Sequence, residues 1–451
     1  MRVVSAVVLA FLCGMTLAAE PASYVIDGKR YYAVDEEALK KIGLPRQDIP
    51  DEKNGGTLLF RAIEMMPAEP QELKGPIEQA MSGPWRADFE RLEPWLDEHD
   101  AMFAMIRKAV SLPDCQFPVL ARTPDPDLAN QPMFLYAVLL PHLAQLRQVA
   151  RIGRLRGLAA EHAGEPVSGL DEHELVLEFG DYITGRDFII TDLVGIVCKA
   201  IGSKELSRCI VSSDLQAGAW EKLAKRLDTV RSNRRNWSRA ILFEKVACIQ
   251  ASSPGVLAQA APLFGGRGLP AGGKAARAFL KSRAARILLP DRTIKAEITA
   301  YYDGVADAAK LPPWRGLDAA EKLQQTIAGK GGDAPEISEW NVFVRMVIPA
   351  VSRFAEQHVN SLAQLDALRI AVALRRYGVA HARWPERLEN LEPAWLKNLP
   401  PDPFTGNPYN YERKGDGWRL WSVGRNRKDD RGDPKEDVTV SCDRQPGRVK
   451  P

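Results

Sequence analysis

The stretch from Asp402 to Asn426, DPFTGNPYNYERKGDGWRLWSVGRN, decides how the chain is read. The Asp402 carboxylate suits a cap on its own turn, Pro403 presets φ, and Gly406 supplies a backbone angle that other residues avoid. Tyr409 and Tyr411 then alternate with polar residues, and Trp418, Leu420 and Ser422 alternate with Arg419, Trp421 and Val423. Alternation on both sides of Lys414-Gly415-Asp416-Gly417 predicts an antiparallel hairpin with a short glycine-containing turn. Just upstream, Leu365, Leu368 and Val372 form one helical stripe, and Ile370, Leu374 and Tyr377 form a second. Two such stripes are broad enough to cover one face of a small sheet. Residues 336–451 are therefore expected to be a small α+β module, a helix packed on an antiparallel hairpin or sheet, ending in an acidic loop and tail.

Outward from this module the period is helical, so the expected class is mainly α. Residues 57–335 read as an irregular helical domain. Helical spacing is predicted over 57–66, 77–89, 92–110, 139–163, 170–201, 206–226, 274–289, 293–309 and 342–377, with Pro84 and Pro94 near helix starts. No strict repeat of 20–50 residues supports a solenoid. Residues 20–56 hold two short β segments around Asp27-Gly28, a pair suited to a type I′ turn. A proline- and acid-rich linker, Pro45 to Asn54, follows them. At the start, Met1-Arg2, the apolar run Val3 to Leu12 and the small residues up to Ala19 have the layout of a signal peptide over 1–19. The chain is thus expected to be exported to the periplasm, the cell envelope or the exterior. No later window of 18 uncharged apolar residues suggests an integral membrane protein.

Composition narrows the function classes. Apolar residues make up 45% and charged residues 26%, which excludes wholesale disorder. The 61 basic and 58 acidic residues nearly cancel, which gives no global case for nucleic acid. Two basic stretches, Lys225 to Arg239 and Arg267 to Lys295, suggest an anionic surface or an acidic partner. Without the signal, Cys115, Cys198, Cys209, Cys248 and Cys442 remain, an odd number with no CxxC. Four of them lie in apolar surroundings and read as small hydrophobes. Gly268 to Ala275 nearly spells a phosphate loop, but Ala275 stands where Mg²⁺ needs a hydroxyl, so it reads as a flexible loop. His173 lies in Asp171-Glu172-His173-Glu174, yet a zinc-protease HExxH needs histidine where Leu177 stands. It reads, like His142 and His162, as a surface or cap residue. GxSxG is absent. The chain is expected not to be an enzyme; the alternatives are a hydrolase with a carboxylate-based site and a peripheral envelope protein held by its basic helices.

Residues 367–440 resemble the globular part of the major pseudopilin of type II secretion systems. The helix end Ala373-Leu374-Arg375-Arg376-Tyr377, then His381 to Pro385, Trp395 to Pro400, Asp402 to Tyr411 and Trp421 to Asn426 come in that family's order. The whole chain also resembles secreted bacterial proteins with a helical body and this ending. The first resemblance implies a Ca²⁺ loop, with side-chain oxygens from Asn426, Asp429, Asp430, Asp433 and Asp437 and the Val423 carbonyl. Calcium takes six to eight oxygens, and closely spaced carboxylates help to supply them. Arg425, Arg427, Lys428, Arg431 and Lys435 in the same stretch reduce the local negative field. The family's leader and membrane-helix junction are missing, so the module is expected to pack or dock rather than polymerise. The expected partner is another envelope protein or an anionic surface.

Overall fold

The computed structural model describes residues 22–82, 88–124, 140–233, 236–251, 291–327 and 342–446. The signal segment 1–19, the phosphate-loop near-match and the helix expected over 274–289 lie outside these residues. The described chain is mainly helical, with two three-stranded antiparallel sheets. No described helix is long and apolar enough to cross a membrane.

The first sheet joins β1 (Ser23–Ile26), β2 (Lys29–Ala33) and β3 (Leu120–Ala121). Asp27 and Gly28 both take positive φ, 49° and 69°, as the hairpin reading requires. The short helix α1 (Glu36–Lys41) precedes α2 (Gly55–Glu64), α3 (Lys74–Ser82), α4 (Phe89–Asp97) and α5 (Asp100–Val110). The single helix expected over 92–110 is thus two. Pro94 sits inside α4 rather than at its start, a correction to the sequence reading.

The body is built on α6 (His142–His162), α7 (Pro166–Ile183), α8 (Ile189–Ser212) and α9 (Ala217–Asn233). The expected break after Ile201 is absent, and the chain turns earlier, between α7 and α8. There Gly185 takes φ +76° and gives its N–H to Asp192 Oδ1 at 2.8 Å. The helical reading ran through that turn because apolar residues flank it closely on both sides. Gly202 lets α8 lie against α7, since a Cβ there would stand 2.6 Å from the Leu177 nitrogen.

Next come α10 (Ser238–Ala251), α11 (Asp291–Ala308), α12 (Pro313–Ile327) and the 40-residue α13 (Val342–His381). β4 (Asn410–Lys414), β5 (Gly417–Ser422) and β6 (Val438–Cys442) complete the second sheet in that order. Two cores meet along α13. Val351, Phe354, Ala355 and Val359 pack with α10, α11 and α12. Leu365, Leu368, Val372 and Leu374 pack with α8, α9 and the second sheet. The helix that covers the sheet is therefore also part of the body.

On the face of β5 opposite Trp418, Leu420 and Ser422, Trp421 is only 8% exposed. The segment after β5 explains this. Trp421 Nε1 donates to Asp429 Oδ1 at 2.9 Å, and Gly432 lies against the side chains of Arg419 and Trp421. The acidic loop thus lies over the second face of the sheet.

Candidate functional site

The loop from Val423 to Asp437 begins at a carboxylate anchor. Buried Asp402 accepts from the Phe404 N–H at 2.9 Å, the Ser422 hydroxyl at 2.9 Å and the Val423 N–H at 3.0 Å. It therefore caps its own turn and also ties that turn to the end of β5. Gly406 closes the turn at φ +79° with its α-carbon against Trp314 of α12. Gly424, at φ +65°, lies so close to the Glu436 carbonyl that no side chain fits there. Loop start and loop end are thereby held together.

Within the loop Asn426, Asp429, Asp430 and Asp433 each already accept a hydrogen bond at one oxygen. Asn426 Oδ1 accepts from the Lys428 N–H at 2.9 Å, and its Nδ2 donates to Asp430 Oδ2 at 2.6 Å. Asp429 takes the Arg431 N–H as well as Trp421, and Asp433 takes the Lys435 N–H at 3.0 Å. Asp437 is different. It is 5% exposed, its Oδ2 accepts from the Gly432 N–H at 2.8 Å, and its Oδ1 has no partner. Burial pushes its pKa up, the Gly432 N–H opposes this, the Asp430 and Asp429 charges add to it, and the Asp430 N–H opposes it more weakly. An orphaned carboxylate oxygen beside two further carboxylates suits a cation of Ca²⁺ hardness.

Two loop cations turn outward. Arg425 pairs with Glu356 of α13 at 2.6 Å, and Arg427 pairs with Asp318 and Glu321 of α12, each at 2.8 Å. They fasten the loop to the body rather than neutralising its acidic side chains. Beside them, between α8, α13 and β6, opens a groove of about 490 Å³ lined by Lys204, Glu356, Arg425 and Glu436.

Sequence reasoning missed a second cluster. His173, read as a surface or cap residue, is fully buried. Its Nε2 lies 3.0 Å from Glu161 Oε1, which also accepts from Arg208 at 2.7 Å and from the Cys209 thiol at 3.4 Å. Two glycines make this possible. A Cβ at Gly157 would strike the His173 ring, and one at Gly169 would stand 2.6 Å from Glu161 Cγ. Among the described residues, Glu161, His173 and Cys209 are the group of three whose ligand-type atoms lie within 4.8 Å of one another; the loop carboxylates form no such group. The Arg208 guanidinium already balances Glu161, and burial, with Glu161 second, pushes the Cys209 thiol up, so it stays protonated and is a poor nucleophile. The cluster reads as a closed joint between α6, α7 and α8.

His142 is corrected in the same way. It is buried with its ring 4.7 Å from Phe60 and 5.1 Å from Phe117, and burial lowers its pKa to about 3. The basic stretch from Lys225 also turns largely to internal partners. Arg226 pairs with Glu174 and Glu178, Arg231 with Asp366, and Arg239 reaches Gln47 and Gln116. All five described cysteines are buried, and none of them is in a disulfide.

The chain matches no known protein-family model, no curated protein and no solved structure.

Proposed function

We propose that the chain is an exported, non-catalytic binding and scaffold protein. Its C-terminal module resembles the globular part of a pseudopilin and docks an envelope partner beside a calcium-stabilised loop. The observation that carries this reading is Asp437, whose buried Oδ1 has no partner and whose pKa is raised by burial, with the Asp430 and Asp429 charges adding to it. The proposed ligands are Asn426, Asp429, Asp430, Asp433, Asp437 and the Val423 carbonyl. Calcium would supply the countercharge that Asp437 itself lacks and fix the loop over the sheet. The groove beside the loop offers a partner polar edges from Lys204, Arg425 and Glu436 on a rigid base. That base is rigid because α13 belongs to both cores.

Titration calorimetry of the whole chain tests the site. One Ca²⁺ per chain with Kd of roughly 10⁻⁴–10⁻³ M is expected, a range typical of extracellular modules. Absence of calcium binding removes the cofactor from the proposal. Hydrolysis detected in a broad substrate panel overturns the non-catalytic reading.

A further inference from the structure

Strand β6 ends its sheet, and only one of its edges is used. It pairs with β5 from Val438 to Cys442. In an antiparallel strand alternate N–H and C=O groups point away from the partner. Among the described residues no backbone hydrogen bond from another element reaches that outer edge. Proteins usually cover such an edge, because it is a template for a further strand. Here the cover is partial. Beside Cys442 the α8 helix closes in, where Arg444 Nε donates to the Val211 carbonyl at 2.8 Å. Further along, the groove of about 490 Å³ opens between β6, α8 and α13.

The lining shows that this groove follows the edge. Val438, Thr439 and Val440 all border it. Successive side chains of a strand point to opposite faces, so a cavity that touches all three runs along the side of the strand rather than over one face. The α8 wall carries the small residues Ala200, Ser203 and Ser207, which leave space beside β6.

Groups suited to holding a main chain stand around that space. Ser203 is 7% exposed, lines the groove, and its hydroxyl has no hydrogen-bond partner among the described residues while keeping surface open there. Gln357, Asn360 and Gln364 follow at three- and four-residue steps, so they form one row on α13. Their amides also make no hydrogen bond among the described residues. A side-chain amide both donates and accepts, so such a row can match the N–H and C=O groups of extended backbone whatever its sequence. The charges add a preference. Glu356 and Arg425 answer each other at 2.6 Å, and the free oxygen of Asp437 is sealed from solvent. Lys204 and Lys435 are exposed and hold no ion pair among the described residues, against the single exposed carboxylate of Glu436. The reachable charge is therefore net positive. We infer that the groove takes an extended, acidic segment of a partner protein, which adds to β6 as a fourth strand while Ser203, Asn360 and Gln364 hold its main chain. This deepens the docking reading above and rests on it.

The probe is an end-capped hexapeptide of alternating threonine and glutamate, titrated into the whole chain at about 0.15 M salt, where long-range attraction is screened. Saturable binding is expected, with slower hydrogen exchange at the Val438 to Val440 amides. The same peptide N-methylated at alternate amides should bind at least about tenfold more weakly in the form that blocks the β6-facing edge, because several main-chain hydrogen bonds are lost together. The threonine–lysine counterpart should also bind more weakly. Asn360→Ala/Gln364→Ala removes amides that make no hydrogen bond in the fold, so it should keep the parent unfolding midpoint and lower the affinity several-fold. Absence of saturable binding, equal affinity for both N-methylated forms and the parent peptide, or unchanged exchange at β6 would each overturn strand addition. Hydrolysis of the bound peptide would instead count against the non-catalytic docking reading and leave the strand pairing intact.

Discussion

Glu161 and Asp437 are both withdrawn from water, and the chain treats them in opposite ways. Burial would raise the Glu161 pKa, yet hydrogen bonds from His173 and Arg208 outweigh it and hold the group at about 2. One oxygen there collects three donors from two helices. Asp437 has the Gly432 N–H, a weaker contribution from the Asp430 N–H, an oxygen without a geometric partner and two like charges for neighbours, and burial raises its pKa. The first region carries its own countercharge and needs nothing from outside. The second lacks one, so it is where a ligand would change the most. A residue's capacity to bind a metal is therefore a poorer guide to a site than whether the fold has already satisfied it.

Removing the countercharge from the closed region should have the largest effect. Arg208→Met leaves Glu161 with His173 and leaves Glu205 with Arg154 alone. Breaking a largely buried pair by deleting one partner costs about 3 kcal/mol. The urea midpoint should fall with little change in slope, and Arg208→Met/Glu161→Gln should recover part of the loss. A loss below about 1 kcal/mol would place this pair with ordinary surface bridges and break the contrast.

The next effect is on pH dependence. Burial raises Glu174 to about 7 against the opposing Arg226, raises Glu244 to about 7, and raises Asp192 to about 8. The folded chain holds protons that the unfolded chain releases near pH 4. Stability should then fall as pH rises from about 4.5 to 8, by up to about 1.4 kcal/mol per pH unit for each group in its window. Glu161 has the opposite sign. Its contribution is present above the usual carboxylate pKa and is lost as pH falls toward 2. Unfolding midpoints should be higher at pH 5.5 than at pH 8, and Glu174→Gln should flatten the difference. A higher midpoint at pH 8 would mean that these carboxylates are ionised in the fold without penalty.

What was legible in the sequence is what local chemistry decides. Asp27-Gly28, Asp402-Pro403 and Gly406 specify their turns within a few residues, and the hairpins follow in register. The α12 helix escaped notice although Leu317, Ala320 and Leu323 share a face, because Gly316 and Pro313 resemble loop punctuation. Gly316 is there for packing; a Cβ would stand 2.5 Å from the Ala308 carbonyl. Burial of His173 depends on Gly157, on a different helix, and no local pattern announces that. Arg425 and Arg427 looked like diluents of the acidic loop because their partners lie about 70 to 110 residues away. The acidic loop itself was found by resemblance of position, whereas the orphaned oxygen that distinguishes Asp437 from its neighbours is a property of packing.

The smallest effect is the sharpest, because its sign should reverse. Asp437→Asn keeps an oxygen for the Gly432 N–H and removes the charge repelled by Asp430 and Asp429. In chelator the variant should be as stable as the parent or more stable by a few tenths of a kcal/mol, as expected when like-charge repulsion near a surface is relieved. With calcium at about ten times Kd, the parent should gain about 1.4 kcal/mol from RT ln(1 + [L]/Kd), and the variant much less. The order of the two unfolding midpoints should therefore exchange between chelator and calcium. A simple solvated loop gives the same order in both buffers, and that result would separate Asp437 from any metal. If the variant instead loses several kcal/mol in chelator, the Asp437 carboxylate is already satisfied in the fold. The distinction between Asp437 and Glu161 would then be lost.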